Sequence, residues 1–200
     1  MSPRAFLINT VGESASFFVM IITPKKASPA SNCNIADISA WGFTPDSNTD
    51  KYGVSYSNTR DRLTNGRRVK GHYVIAPTVI KIAKEAFAGA DIVTLIIPAG
   101  VETISLRMCE HCKKLEHVRI HEGLTKIVAG AFWGCESLSQ IEIPASVKSI
   151  GGYAFAGCRA LTTVIVPSEC RIDKLAFPKT CTVLTPEEAC KLRQQYVFEH

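Results

Sequence analysis

The sequence predicts a repeat solenoid, α+β or mainly β in class, with a parallel concave sheet of about five short strands and a helical C-terminal cap. Three observations carry this. Apolar slots recur every 23 residues across the middle of the chain, each unit holds a short alternating run closed by proline, and residues 185–188 spell a helix start.

Residues 1–68 lack that period and read as an N-terminal cap or irregular appendage, partly disordered near 24–34 and 44–66, where Ser, Thr, Asn, Asp and Gly abound. Within them only Phe17 to Ile22 resembles a strand. Arg4 and that apolar stretch are elements of an export signal. Glu13 interrupts the region, however, and no small-x-small cleavage site follows, so the signal is unconvincing and the compartment stays open between cytoplasm and cell surface.

Residues 69–184 form the repeat array. One unit runs Leu124, Ile127, Ala131, Phe132, Cys135, Leu138, Ile141, Ile143, Pro144. The next runs Val147, Ile150, Ala154, Phe155, Cys158, Leu161, Val164, Val166, Pro167, each slot advanced by 23 (Leu124 to Val147). Backwards, Val101, Ile104, Met108, Cys109, Cys112, Leu115, Val118 and Ile120 hold the register, with Cys109 in the aromatic slot and His121 in the proline slot. Val79, Ile82, Ala86, Phe87, Ala90, Ile92, Leu95, Ile97 and Pro98 fit with one residue fewer between Ala90 and Ile92, and Tyr73 with Ile75 makes a half-unit before them. A degenerate last unit keeps Ile172, Ala176 and Phe177, as befits an end repeat with one neighbour.

Inside a unit, L-x-x-I-x-I alternates burial as a strand does, and the proline stops the ladder for want of a donor. The A-F-x-G-C part lies on the opposite wall, where Gly89, Gly134 and Gly157 permit a tight turn. No single unit buries its own apolar side chains, whereas stacked units align each slot into an interior column. Cys112, Cys135 and Cys158 share one slot, so they are expected to stack as buried free thiols. The stretch AFWGCESLSQIEIPASVKSIGGYAFAGC (131–158) resembles the BspA-like, or Treponema-type, leucine-rich repeats over about residues 69–184. That resemblance implies a protein-interaction or adhesion scaffold with no catalytic constellation to carry over.

Residues 185–200 read as a capping helix: Thr185 is the N-cap, Pro186 opens the first turn and Glu188 completes a capping box. Ala189, Leu192 and Tyr196 then fall on one face, which is expected to plug the open end of the core.

Composition narrows the function. With 46% apolar and 20% charged residues the chain has a packed interior, and no apolar run approaches the roughly 20 residues of a membrane span. The net charge of +5 is concentrated: residues 51–74 carry Lys51, Arg60, Arg62, Arg67, Arg68 and Lys70 against Asp61 alone, six minus one. Run 60–72 is therefore the alternative seat of binding, to an anionic surface or nucleic acid. Its brevity and single nearby aromatic, Tyr73, argue against nucleic acid. Cys109, His111 and Cys112 place potential metal ligands close together, but no second pair completes four, so neither metal nor cofactor is implied. Nucleophile and phosphate-loop motifs are absent, which argues against an enzyme.

The outward strand slots are the candidate binding residues. His72, Thr94, His117, Gln140 and Thr163 share one column, and Val74, Ile96, Arg119, Glu142 and Ile165 share the next. Glu116, His121 and Glu122 lie beside them, giving polar middle rungs between apolar ones. Arg119 and Glu142 are expected as neighbours across two parallel strands, and the partner is expected to be a protein or peptide laid on this concave sheet.

Overall fold

The structure, a computed structural model, describes residues 48–198, with backbone alone at Arg193 and 195–198. Phe17 to Ile22, segment 24–34 and Cys33 lie outside the described residues.

The chain enters through β1 (Ser55–Tyr56) and β2 (Arg62–Asn65), an antiparallel pair. Five front and side strand pairs follow: β3 (Lys70–Val74) with β4 (Lys81–Ile82), β5 (Asp91–Ile97) with β6 (Thr103–Ile104), β7 (His117–Ile120) with β8 (Lys126–Ile127), β9 (Gln140–Ile141) with β10 (Ser149–Ile150), and β11 (Thr163–Ile165) with β12 (Arg171–Ile172). Strand β13 (Thr182–Leu184) and helix α1 (Pro186–Phe198) complete it.

The front strands stack in parallel in the order β3-β5-β7-β9. Tyr73, Leu95, Val118 and Ile141 are direct partners in that ladder, which is the register the 23-residue period demands. The ladder stops there: β11 pairs with β13 in a separate parallel pair, so Val164 is not hydrogen-bonded across to Ile141. The expected five-stranded sheet is thus four strands and then two.

The sides of the coil away from the front sheet are regular as well. The side strands form a second parallel sheet, β6-β8-β10-β12, and β4 pairs with β2. The A-F-x-G-C arcs form a third wall, which is laddered as well: Phe87 N–H donates to Met108 C=O at 2.8 Å, Cys109 to Ala131 at 2.7 Å and Phe132 to Ala154 at 2.8 Å. Left-handed backbone at two slots per arc turns these donors toward the next coil. The first slot holds Glu85, Arg107, Gly130 and Tyr153, and the second Gly89, His111, Gly134 and Gly157. The result is a β-solenoid with parallel sheets.

The repeat slots line one buried core from Val54 to Ala176. Phe132 and Phe155 stack at 5.3 Å and Phe155 and Phe177 at 4.9 Å, nearly parallel. Cys109 interrupts this column, so Phe87 packs instead against Tyr73, 5.8 Å away.

Residues 48–66 correct the expectation of irregular chain. Val54, Tyr56 and Leu63 are buried, and Arg62 and Leu63 pair in parallel with Lys81 and Ile82, so the stack already includes β2. The local cause is Asp50, a buried polar residue whose Oδ1 accepts the Tyr52 and Val54 amides at 2.9 Å each. At the other end the capping box forms as expected: Thr185 N–H donates to Glu188 Oε2 at 2.8 Å and Glu188 N–H to Thr185 Oγ1 at 3.3 Å. Of the expected plugging face, Leu192 stays 51% exposed and Ala189 is only half-buried, and the Tyr196 side chain lies outside the described residues.

Candidate functional site

Alternation along the front strands decides which side chains leave the core. Leu95, Val118, Ile141 and Val164 point in and are buried, so their flanking residues point out. Register sets them side by side. His72, Thr94, His117 and Gln140 are successive ladder partners, as are Val74, Ile96 and Arg119. His72, His117, Arg119, Gln140 and Glu142 are exposed, whereas Thr94, Ile96 and Thr163 are half-buried between neighbouring rungs. Val74 and Ile165 are 47% and 41% exposed. Their apolar side chains border the polar middle of the sheet, as the slot assignment anticipates.

The hydrogen bonds on this face are few. The His72 ring nitrogen Nδ1 lies 2.9 Å from Thr94 Oγ1, a cross-strand contact between ladder partners. Glu116, exposed, donates its amide to Val93 C=O at 2.9 Å and accepts from the Ser139 amide at 3.3 Å. His121, in the proline slot, is half-buried, and Glu122 exposed.

Arg119 and Glu142 follow the partners Val118 and Ile141 but make no ion pair among the described residues. Strand β9 ends at Ile141, so Glu142 falls outside the ladder. Ion pairs form elsewhere: Glu136 faces Lys113 at 3.4 Å and Arg159 at 3.9 Å, and Lys114 reaches Asp91 at the start of β5 at 3.0 Å.

Cys112, Cys135 and Cys158 occupy the buried column as free thiols, and each donates to a backbone carbonyl of the preceding coil: Phe87, Cys109 and Phe132, at 2.9, 3.0 and 3.2 Å. The slot therefore stitches coils together, since each carbonyl belongs to the aromatic slot one coil back. Burial pushes the Cys109 thiol well above its ordinary range. His111 turns away from these thiols and packs on Trp133, ring centroids 5.4 Å apart. Among the described residues no three His, Cys, Asp or Glu side chains gather as metal ligands.

The basic run 60–72 is divided by the fold. Arg62 sits on β2 and Lys70 on β3, in different sheets, while Arg67 pairs with Glu85 at 3.0 Å. Sequence reasoning missed a surface cluster: His111 takes a glycine slot at φ 56°, and with Arg107, whose guanidinium lies 5.7 Å over the Trp133 ring, it covers that half-exposed indole. The signal was present as the one non-glycine in the second left-handed slot.

No described helix is long and apolar enough to cross a membrane. No curated protein matches the chain. Among solved structures, a leucine-rich repeat protein of Treponema pallidum is similar at 25% identity and TM-score 0.50, covering 60% of this chain and 60% of that one. One from Bacteroides ovatus is similar at 25% identity and TM-score 0.55, covering 72% of this chain and 40% of its own. The pneumococcal vaccine antigen PcpA, at 19% identity and TM-score 0.53 over 73% of this chain and 44% of that one, shares the fold. This chain thus spans less than two thirds of each. The family described as BspA type leucine rich repeat region matches residues 72–186 in 6 copies, and with its slots, parallel register and coil-to-coil stacking the chain belongs to that family of repeat scaffolds.

Proposed function

We propose that the chain is a protein-interaction module that binds a protein or peptide on the outward face of the front sheet, with adhesion or recognition as its use. Leucine-rich repeat families are in general protein-interaction scaffolds and generally not enzymes. The observation that carries the finer reading is the pattern of the two outward columns. Exposed Val74 and Ile165 flank His117, Arg119, Gln140 and Glu142, so an apolar border surrounds a polar centre. Arginine is among the residues that carry binding energy at interface centres, where surrounding contacts exclude water, and Arg119 with apolar rungs on either side offers that arrangement. Glu116, His121, Thr94, Ile96 and Thr163 complete the surface.

The test is a pull-down with mass spectrometry, repeated on exposed substitutions that leave the core untouched. Arg119→Glu with Glu142→Lys, and His117→Ala separately, are expected to lower recovery of the partner at least about tenfold, the loss of roughly 1.4 kcal/mol. Undiminished binding by both variants would place the affinity elsewhere.

A further inference from the structure

The side sheet carries a second surface of different chemistry. The two-residue strands β4, β6, β8 and β10 bury their second residue, Ile82, Ile104, Ile127 or Ile150, as the longer β2 buries Leu63, and turn the first outward, while β12 leaves Ile172 exposed. The outward residues, coil by coil, are Arg62, Lys81, Thr103, Lys126, Ser149 and Arg171. Register orders them in two runs: Arg62 faces Lys81 in one sheet, and in the side sheet Thr103 and Ser149 both face Lys126 and Ser149 also faces Arg171. Strand β4 is tied to β6 by the Ser105 hydroxyl, which donates to Ile82 C=O.

Among the described residues none of these four cations takes part in an ion pair. The nearby acids are fewer than the cations: Asp61, next to Arg62 and accepting from Ser57 Oγ at 2.7 Å, Asp173, exposed and accepting the Leu175 amide at 2.9 Å, and the exposed Glu102, with Lys148 as a further cation. The row is thus cationic, with hydroxyls alternating between the later charges.

Paired parallel strands are spaced by about 4.8 Å, so Lys126 and Arg171, two rungs apart, lie about 9.6 Å from one another, and Lys81 stands two coils before Lys126. A polyproline II chain rises about 3.1 Å per residue with three residues per turn, which returns every third side chain to one face after about 9.3 Å. We propose that this row docks an extended acidic polypeptide segment in polyproline II form, with a carboxylate at every third position and the Thr103 and Ser149 hydroxyls between the charge pairs. A stacked nucleic-acid strand fits worse. Its phosphates repeat at about 3.4 Å along the axis, and the row holds no aromatic for base stacking.

Fluorescence anisotropy with a labelled (Glu-Pro-Pro)4 peptide at low salt tests this on the full chain. Saturable binding is expected, weakened at least about tenfold by Lys126→Glu with Arg171→Glu, because two attractive pairs become repulsive. A block isomer of the same composition, four Glu followed by eight Pro, should bind several-fold more weakly, and the front-sheet variants Arg119→Glu and His117→Ala should bind as the parent does. Equal affinity for the block isomer, survival of binding in the double variant, or tighter binding of a twelve-residue oligothymidine would overturn the proposal. All the substitutions fall on exposed positions, and urea unfolding of each variant confirms that the coil is intact.

Discussion

At the N-terminal end of the array a carboxylate and two phenols are sealed inside, while at the C-terminal end Ile172, Leu175, Val183 and Leu192 stay exposed. Asp50 Oδ2 accepts Tyr73 Oη–H at 2.7 Å, and the Tyr56 hydroxyl lies 3.1 Å from the same oxygen and 2.5 Å from the Tyr73 hydroxyl. The Tyr52 ring meets Tyr73 edge-on at 5.5 Å. An open solenoid end exposes strand edges and core side chains, and the two ends answer that differently. The first end uses directional bonds that fix one arrangement; the second uses a helix held at its start, with Ser168 donating to Glu187 at 3.0 Å beside the capping box. Loss of a group is therefore expensive at the first end and cheap at the second.

The aromatic column sharpens the contrast, because it lies on the C-terminal side of Cys109. What that half lacks in an apolar lid it has in stacked rings, with Phe155 held between Phe132 and Phe177. Phe155→Ala is expected to cost about 3–5 kcal/mol, the range for truncating a fully buried aromatic and leaving a cavity. Phe132→Ala should fall in the same range, since its ring is equally buried. Urea unfolding that placed either variant within about 0.5 kcal/mol of the parent would show that the stack does not hold the C-terminal half together.

The N-terminal network has an acid–base signature the other end lacks. Burial, followed by the Asp50 carboxylate, holds the Tyr56 phenol well above its ordinary range, and burial followed by the Tyr56 neighbour does the same for Tyr73. In the unfolded chain both titrate near 10, so the folded state retains the protons that the unfolded state gives up. Their contribution to stability is complete below pH 10 and falls above it, by up to about 1.4 kcal/mol per pH unit for each phenol. Tyr56→Phe with Tyr73→Phe should flatten the loss between pH 10 and 11 relative to the parent, while lysine titration, common to both proteins, cancels in the difference. An unchanged slope would mean the phenols are not sealed.

How much of this the sequence made legible follows from range. Slots 23 residues apart announce the front ladder, the buried cysteine column and the core aromatics, because each coil repeats one environment. The capping box is equally legible, as Thr185 and Glu188 interact locally. The Asp50, Tyr56 and Tyr73 network has no period to announce it, and its members, scattered through polar sequence, meet only after β1 and β2 fold back. The side sheet is equally hidden, since two-residue strands are too short to show alternation. Arg119 and Glu142 are legible only in part: the repeat predicts their slots but not that β9 ends at Ile141, one residue before Glu142.

Leu192 gives the smallest expected effect and the sharpest test of the C-terminal end. Helical periodicity puts it on an apolar stripe, yet about half of its surface remains in contact with solvent. The helix is fixed instead by its first turn, through Thr185, Glu187 and Glu188. Leu192→Gln is therefore expected to change stability by less than about 0.5 kcal/mol, as for an ordinary surface substitution. Thr185→Ala, which removes the N-cap oxygen, serves as the comparison and should cost about 1 kcal/mol. Equilibrium urea unfolding of the two variants decides between the two ways of holding the helix. A loss above about 1.5 kcal/mol for Leu192→Gln would mean that its face does seal the core in solution, and the contrast between the two ends would then be one of degree.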